Sequence, residues 1–123
     1  MGQFLSTISP IDEGSIRKEV KHFPVVIFTL PRCPYCVQAK QLLDMEHIEY
    51  KENDLDAHQR EFPTNHQSYI NGLIYITKQT SVPQIFICGE FIGGFTELQK
   101  LKNAGSLLDA IAKCQSPPIN NFK

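Results

Sequence analysis

The chain has 123 residues, 41% of them hydrophobic, with 12 basic against 13 acidic side chains and a net charge of −1. That length fits one globular domain with a single core, and the balanced charge leaves no electrostatic footprint for nucleic acid or an anionic membrane. No apolar run approaches the roughly 18 residues of a membrane span, and the N-terminus lacks the basic and apolar regions of a secretory signal, so the four cysteines are expected in a reducing, cytoplasmic setting.

Residues 1–12 are expected to form a flexible arm. They begin Met1-Gly2-Gln3-Phe4-Leu5-Ser6, which matches an N-myristoylation acceptor at Gly2; the competing reading is a polar arm that happens to start with Gly. One acyl chain, with no second lipid site or dense basic run nearby, implies only a transient, weak membrane association. Over 13–22, Ile16 and Val20 stand four apart among charges, predicting a short amphipathic helix with Ser15 as its cap and His22 as a solvated helix end. Val25–Thr29 is apolar throughout, as an inner strand covered on both faces would be.

A helix is predicted from Pro34 to about Met45, with Ala39, Leu42 and Leu43 continuing the face begun by Cys36. His47 falls in a turn, and Ile48–Lys51 alternates as a half-buried strand, parallel to the first. Residues 53–68 are polar and interrupted by Pro63, predicting a loop with a turn of helix, in which His58 and His66 are surface histidines. Tyr69, Ile70, Leu73, Ile74 and Thr77 recur at helical spacing in spite of Gly72. Val82–Cys88 reads as a strand entered through Pro83, turning at Cys88-Gly89-Glu90 into a hairpin with Phe91-Ile92-Gly93. Cys88 reads as a small turn residue, with an accessory thiol as the alternative. Thr96 and Gln99 have the spacing of a capping box. Gly93-Gly94 before it either lets another molecule approach the backbone or makes a tight strand exit. Gly105 ends that helix, Ser106 caps a last one carrying Leu107, Leu108, Ile111 and Cys114 on one side, and 115–123 reads as a disordered tail.

Cys33-Pro34-Tyr35-Cys36 sits where the first apolar strand gives way to a helix. Cys33 then stands at the helix cap, Pro34 at the first helical position, and the free amides and Arg32 should hold the Cys33 thiol well below its ordinary value of about 8.5. Cys36, one turn in, is less exposed, which makes Cys33 the attacking sulfur and Cys36 the resolving one. Zinc would need two further ligands that Cys88 and Cys114 do not supply as a second pair, and a bond across two residues closes too short a loop to serve as a staple. Redox chemistry is the reading that remains.

With Ser81-Val82-Pro83 and Gly93-Gly94-Phe95-Thr96-Glu97 following the Cys-Pro-Tyr-Cys motif, residues 19–112 resemble the dithiol glutaredoxins. The resemblance implies an α/β, thioredoxin-like fold over residues 13–114, a four-stranded mixed sheet flanked by helices. It also implies glutathione as co-substrate, no metal, and glutathionylated or disulfide-containing proteins as partners. Carried onto this chain, it makes Cys33 the nucleophile and Cys36 the resolving thiol, and has Val82, before a cis Pro83, pair with glutathione. It further assigns glutathione contacts to Arg32, Tyr35, Gln79, Ser81, Gly94, Thr96 and Glu97. Two positions depart: Leu30 stands where the family usually carries Lys or Arg, and Glu97 where aspartate is usual. The alternative function is a dimer holding a [2Fe-2S] cluster through Cys33 and glutathione, which Pro34 disfavours in that family. A monomer is expected.

Overall fold

The computed structural model describes residues 10–115; the Gly2 acceptor site and the tail from 116 onward lie outside the described residues. Among the described residues ten elements follow in order: α1 (Glu13–Val20), β1 (Val25–Thr29), α2 (Pro34–Met45), β2 (Lys51–Asp54), α3 (Leu55–Glu61), α4 (His66–Thr77), β3 (Gln84–Ile87), β4 (Glu90–Gly93), α5 (Phe95–Asn103) and α6 (Leu107–Ala112). The sheet order is β2-β1-β3-β4, with β1 parallel to β2 and antiparallel to β3, and β4 antiparallel to β3. This is the mixed four-stranded sheet that the resemblance implied.

β1 explains the layering. All five of its residues are buried, and because successive side chains point to opposite faces, Val25 and Ile27 join Ala39, Leu43, Leu98, Leu107 and Ile111 under α2, α5 and α6. Val26 and Phe28 join Ile16, Val20, Tyr69 and Leu73 under α1 and α4. Phe86 of β3 meets Phe28 edge-on at 5.7 Å on that second face.

Several expectations are corrected. The second strand begins at Lys51 rather than Ile48: the Ile48 amide continues the end of α2 by donating to the Leu43 carbonyl, and polar Lys51–Asp54 pairs as an edge strand through its backbone. The polar stretch 53–68 holds more than a turn of helix, since Asp54 caps the seven-residue α3 by accepting from the amides of Asp56 and Ala57 at 2.8 and 3.1 Å. The cap of α1 is Asp12, whose carboxylate accepts from the Ser15 amide at 3.1 Å; Ser15 lies inside the helix. The third strand starts at Gln84 because Pro83 offers no amide hydrogen. Leu108 is exposed, whereas Leu107 and Ile111 pack inward. Cys88 stands in the β3–β4 turn as expected, at φ 53°, but its sulfur is not a lone thiol: it is joined to Cys114 in a disulfide, with the Cα atoms 5.4 Å apart, and Cys114 is therefore no mere packing residue. A separation of 26 residues gave no sign of that pairing.

His58 and His66 are not free surface groups either. Their Nδ1 atoms lie 3.0 Å apart, so one donates to the other, and the His58 ring stacks on Tyr69 at 3.8 Å. The Tyr69 hydroxyl donates to Glu19 across the α1–α4 contact. Burial, reinforced by that bond, pushes the Tyr69 phenol well up, while burial and then the facing His66 push His58 down. Gly72 breaks the helical pattern for a reason: a Cβ there would stand 2.2 Å from the Asp12 carbonyl oxygen. The chain entering α1 lies directly on α4, and it is tied there by the Asp12 amide donating to the Ser68 carbonyl and the Asn71 side chain donating to that of Pro10.

Two outcomes follow. Gly72→Ala forces α1 off α4 and should cost about 2–3 kcal/mol in denaturant unfolding, since the clash is with backbone that cannot rotate away. For His58, the folded state holds off a proton that the unfolded chain accepts below roughly pH 6.5. Stability is therefore fully present above that value and declines as pH falls through the lowered folded value. Urea midpoints at both ends of this window should shift more for wild type than for His58→Gln, and equal shifts would show that the pair does not control the effect.

Candidate active site

The buried β1 strand ends at Thr29, and the next four residues carry the chain to the start of α2. Thr29 donates to Glu52 of β2 at 2.7 Å, and Lys40 of α2 reaches the same carboxylate oxygen at 3.0 Å. One acidic group thereby fastens strand end, edge strand and helix, and its hydrogen bond holds the Lys40 ammonium pKa up. Arg32 turns the backbone at φ 63°, and Cys33 takes the cap position of α2 with Pro34 behind it.

The Cys36 amide donates to Cys33 Sγ at 3.1 Å, as the cap position predicted. A sulfur there receives a hydrogen bond and the positive end of the helix dipole, both of which favour thiolate over thiol. Cys36 is 1% exposed while Cys33 is partly open. The two form a disulfide with Cα atoms 5.1 Å apart. The Cys33 sulfur is the more accessible to an incoming sulfur and Cys36 lies beneath it, an arrangement suited to thiol–disulfide exchange.

Beside it lies a groove of about 280 Å3 lined by Tyr35, Gln79, Ser81, Val82, Pro83, Gly94, Phe95, Thr96 and Glu97. Every residue the resemblance implied for glutathione is here except Arg32, which is exposed outside the groove. The Val82–Pro83 bond is cis, and the Val82 carbonyl oxygen lies 3.7 Å from Cys33 Sγ. Gln79 Nε2 already donates to the Ser81 and Pro83 carbonyls at 2.9 and 3.3 Å, so the side chain shapes the loop as well as lining the groove.

The α5 start differs from the expected Thr96–Gln99 box. The helix begins at Phe95, Gly94 is the cap residue and has no side chain to offer, and the Glu97 carboxylate accepts from the Gly94 amide at 2.8 Å. The amides of the first turn, at Phe95, Thr96 and Glu97, have no intrahelical acceptor by helix geometry and present a carboxylate-binding edge to the groove. Gly93, at φ 122°, is held to glycine on two counts, because a Cβ would also stand 2.6 Å from the Glu97 side chain.

Two functional residues escaped the sequence reading. Phe95 stacks on Tyr35 with ring centroids 6.1 Å apart, closing one wall of the groove. Gln84 is 2% exposed, and its Nε2 donates to the Gln79 and Ser81 carbonyls at 2.8 and 3.0 Å, fixing the loop that presents Val82. A glutamine inside the apolar run 82–88 was the available signal for it.

Comparison with known proteins agrees with this geometry. The family model described as Glutaredoxin matches residues 25–92. Glutaredoxin-2 of Schizosaccharomyces pombe is 34% identical over 106 residues, covering 86% of this chain and 92% of that protein. The mitochondrial Glutaredoxin-2 of Homo sapiens is 32% identical over 110 residues, covering 89% of this chain and 64% of that protein. Among solved structures, the buckwheat glutaredoxin–glutathione complex superposes with a TM-score of 0.72 at 27% identity, covering 82% of this chain and 87% of the other. A strand-delivered dithiol at a helix cap, in this sheet and with these relatives, places the chain in the glutaredoxin family as a thiol–disulfide oxidoreductase.

Proposed function

We propose that this protein uses glutathione to reduce protein–glutathione mixed disulfides and protein disulfides. The observation that carries the reading is the groove beside Cys33, whose walls bring Val82, the cis Pro83 and the start of α5 together. A solved relative was crystallised with glutathione. In the first route the Cys33 thiolate attacks the glutathionyl sulfur and the protein thiolate leaves. A second glutathione then attacks the mixed disulfide, releasing glutathione disulfide and the Cys33 thiolate. In the second route Cys33 attacks a protein disulfide and Cys36 displaces the substrate, leaving the Cys33–Cys36 bond for glutathione to reduce.

Each part of glutathione has a matching surface. The Val82 backbone suits the cysteinyl unit, holding its sulfur toward Cys33. The free first-turn amides of α5, with Thr96, suit the γ-glutamyl carboxylate, and Glu97 offers charge for the γ-glutamyl ammonium. The glycyl carboxylate is the least well served: Leu30 is 38% exposed and uncharged, Arg32 stands outside the groove, and Gln79 is partly committed to its own loop. Lys78 lies nearby in sequence, its ammonium 4.5 Å from the Tyr75 ring.

Reduction of a small glutathione mixed disulfide, coupled to glutathione reductase and NADPH, should proceed with wild type and Cys36→Ser and stop with Cys33→Ser. Activity retained by Cys33→Ser would sink the assignment. Leu30→Lys should lower the KM for glutathione about fivefold, the effect of roughly 1 kcal/mol from one added half-exposed ion pair. An unchanged KM would mean that the glycyl carboxylate does not lie near position 30.

A further inference from the structure

The second disulfide sits at the other end of the sheet. β1 runs from Val25 to Thr29, and the active-site pair follows Thr29. Cys88 lies beside the residue before Val25, its amide donating to the Pro24 carbonyl at 2.8 Å. Cys88 and Gly89 make the β3–β4 turn at φ 53° and 81°, and Cys114, exposed just beyond α6, is bonded to that turn. Cys88 and Cys114 line a cavity of about 280 Å3 together with Lys21, His22, Phe23 and Pro24.

Three features distinguish this pair from an inert staple. First, it is open: Cys114 is exposed, Cys88 is partly exposed, and both residues border the cavity. Second, the cavity has charge and a base. The Lys21 stem lies over the turn, its Cγ 3.2 Å from where a Gly89 Cβ would be, and its ammonium is exposed to attract an anionic thiol. His22 Nδ1 lies 2.9 Å from the Lys18 carbonyl and must donate to it, which fixes the tautomer and leaves Nε2 able to accept a proton. Third, the reduced state is provided for. Cys88 Sγ lies 3.3 and 3.5 Å from the carbonyl oxygens of Ala110 and Ile111, and Cys114 Sγ lies 3.5 Å from that of Ile111, so each thiol has an acceptor waiting on α6.

We infer that Cys88–Cys114 is a second redox-active pair, opened and closed by glutathione through the Lys21–His22 cavity. Glutathione gives its thiol proton to His22 Nε2 and attacks Cys114 Sγ. The Cys88–Cys114 bond breaks, and Cys88 leaves as a thiolate that takes up the proton. A second glutathione attacks the sulfur of the glutathione bound to Cys114, forming glutathione disulfide and freeing the Cys114 thiol. Two electrons pass to the protein for two glutathiones oxidised, and the reverse sequence recloses the bond. Opening unfastens the end of α6 from the β3–β4 turn. None of these steps uses Cys33, so the inference stands apart from the proposed activity of that residue.

The test uses the full chain carrying Cys33→Ser and Cys36→Ser, which isolates the second pair from the first. The protein is equilibrated in glutathione buffers from about 1:1 to about 1,000:1 reduced to oxidised, quenched with acid, alkylated and weighed. The expected result is a reversible passage from disulfide to dithiol within that range, approached equally from both sides. A bond that survives the most reducing buffer is a structural staple, and thiols that stay free in the most oxidising one are no redox pair; either result overturns the inference. Adding Lys21→Glu and His22→Gln, both at exposed positions, should slow opening by at least about tenfold. An unchanged rate would overturn the cavity as the route of entry.

Discussion

The hydrogen bond from the Cys36 amide to Cys33 Sγ is the constraint on which the rest of this molecule depends. It exists only if a strand brings Cys33 to the first turn of a helix, and only if that strand and helix are too well buried to shift. β1 meets the first condition by being buried along its whole length. α2 meets the second by sinking Cys36, Ala39 and Leu43 into the layer beneath the sheet. The polar fastening of Thr29, Glu52 and Lys40 then fixes the strand end against the helix, so that the sulfur meets its amide without searching for it.

The groove obeys a related logic. Two of its walls, the loop ending at Pro83 and the start of α5, lie at either end of the β3–β4 hairpin, and each is held by side chains turned back onto the backbone. Gln79 and Gln84 tie the first, and Glu97 ties the second. Residues that look like ligand contacts in sequence are therefore also framework. The charge that Glu97 could offer a ligand is already engaged with Gly94, which makes this wall partly self-satisfied before anything enters.

Much of this was legible in the sequence because local rules and tertiary demands coincide there. The unbroken apolar run at 25–28 marks an inner strand, and the Cys-Pro pair marks a helix start, so the open cap sulfur of Cys33 and the buried one of Cys36 could be placed from spacing alone. Where the two demands separate, the reading failed. Lys51–Asp54 forms a strand by backbone pairing at an edge, which needs no apolar alternation. Asp54 closes that strand and caps α3 at once, hiding a helix inside a polar stretch. His58 and His66 meet across two helices, and Cys88 meets Cys114 through the packing of α6; contacts between remote positions leave no periodic trace. Phe95 lies inside the Gly93–Glu97 motif, but its stacking partner Tyr35 is far away in the chain, so spacing gave it no role.

The placement of the two disulfides at opposite ends of β1 has a kinetic meaning. Five residues of extended chain separate their levels by roughly 16 Å, and disulfide exchange proceeds only when sulfurs touch. The two pairs are therefore wired in parallel rather than in series: no electron passes between them inside one molecule. Any communication must travel by a diffusing thiol or by collision with a second copy, so it depends on concentration, while bond formation between Cys33 and Cys36, inside one molecule, does not.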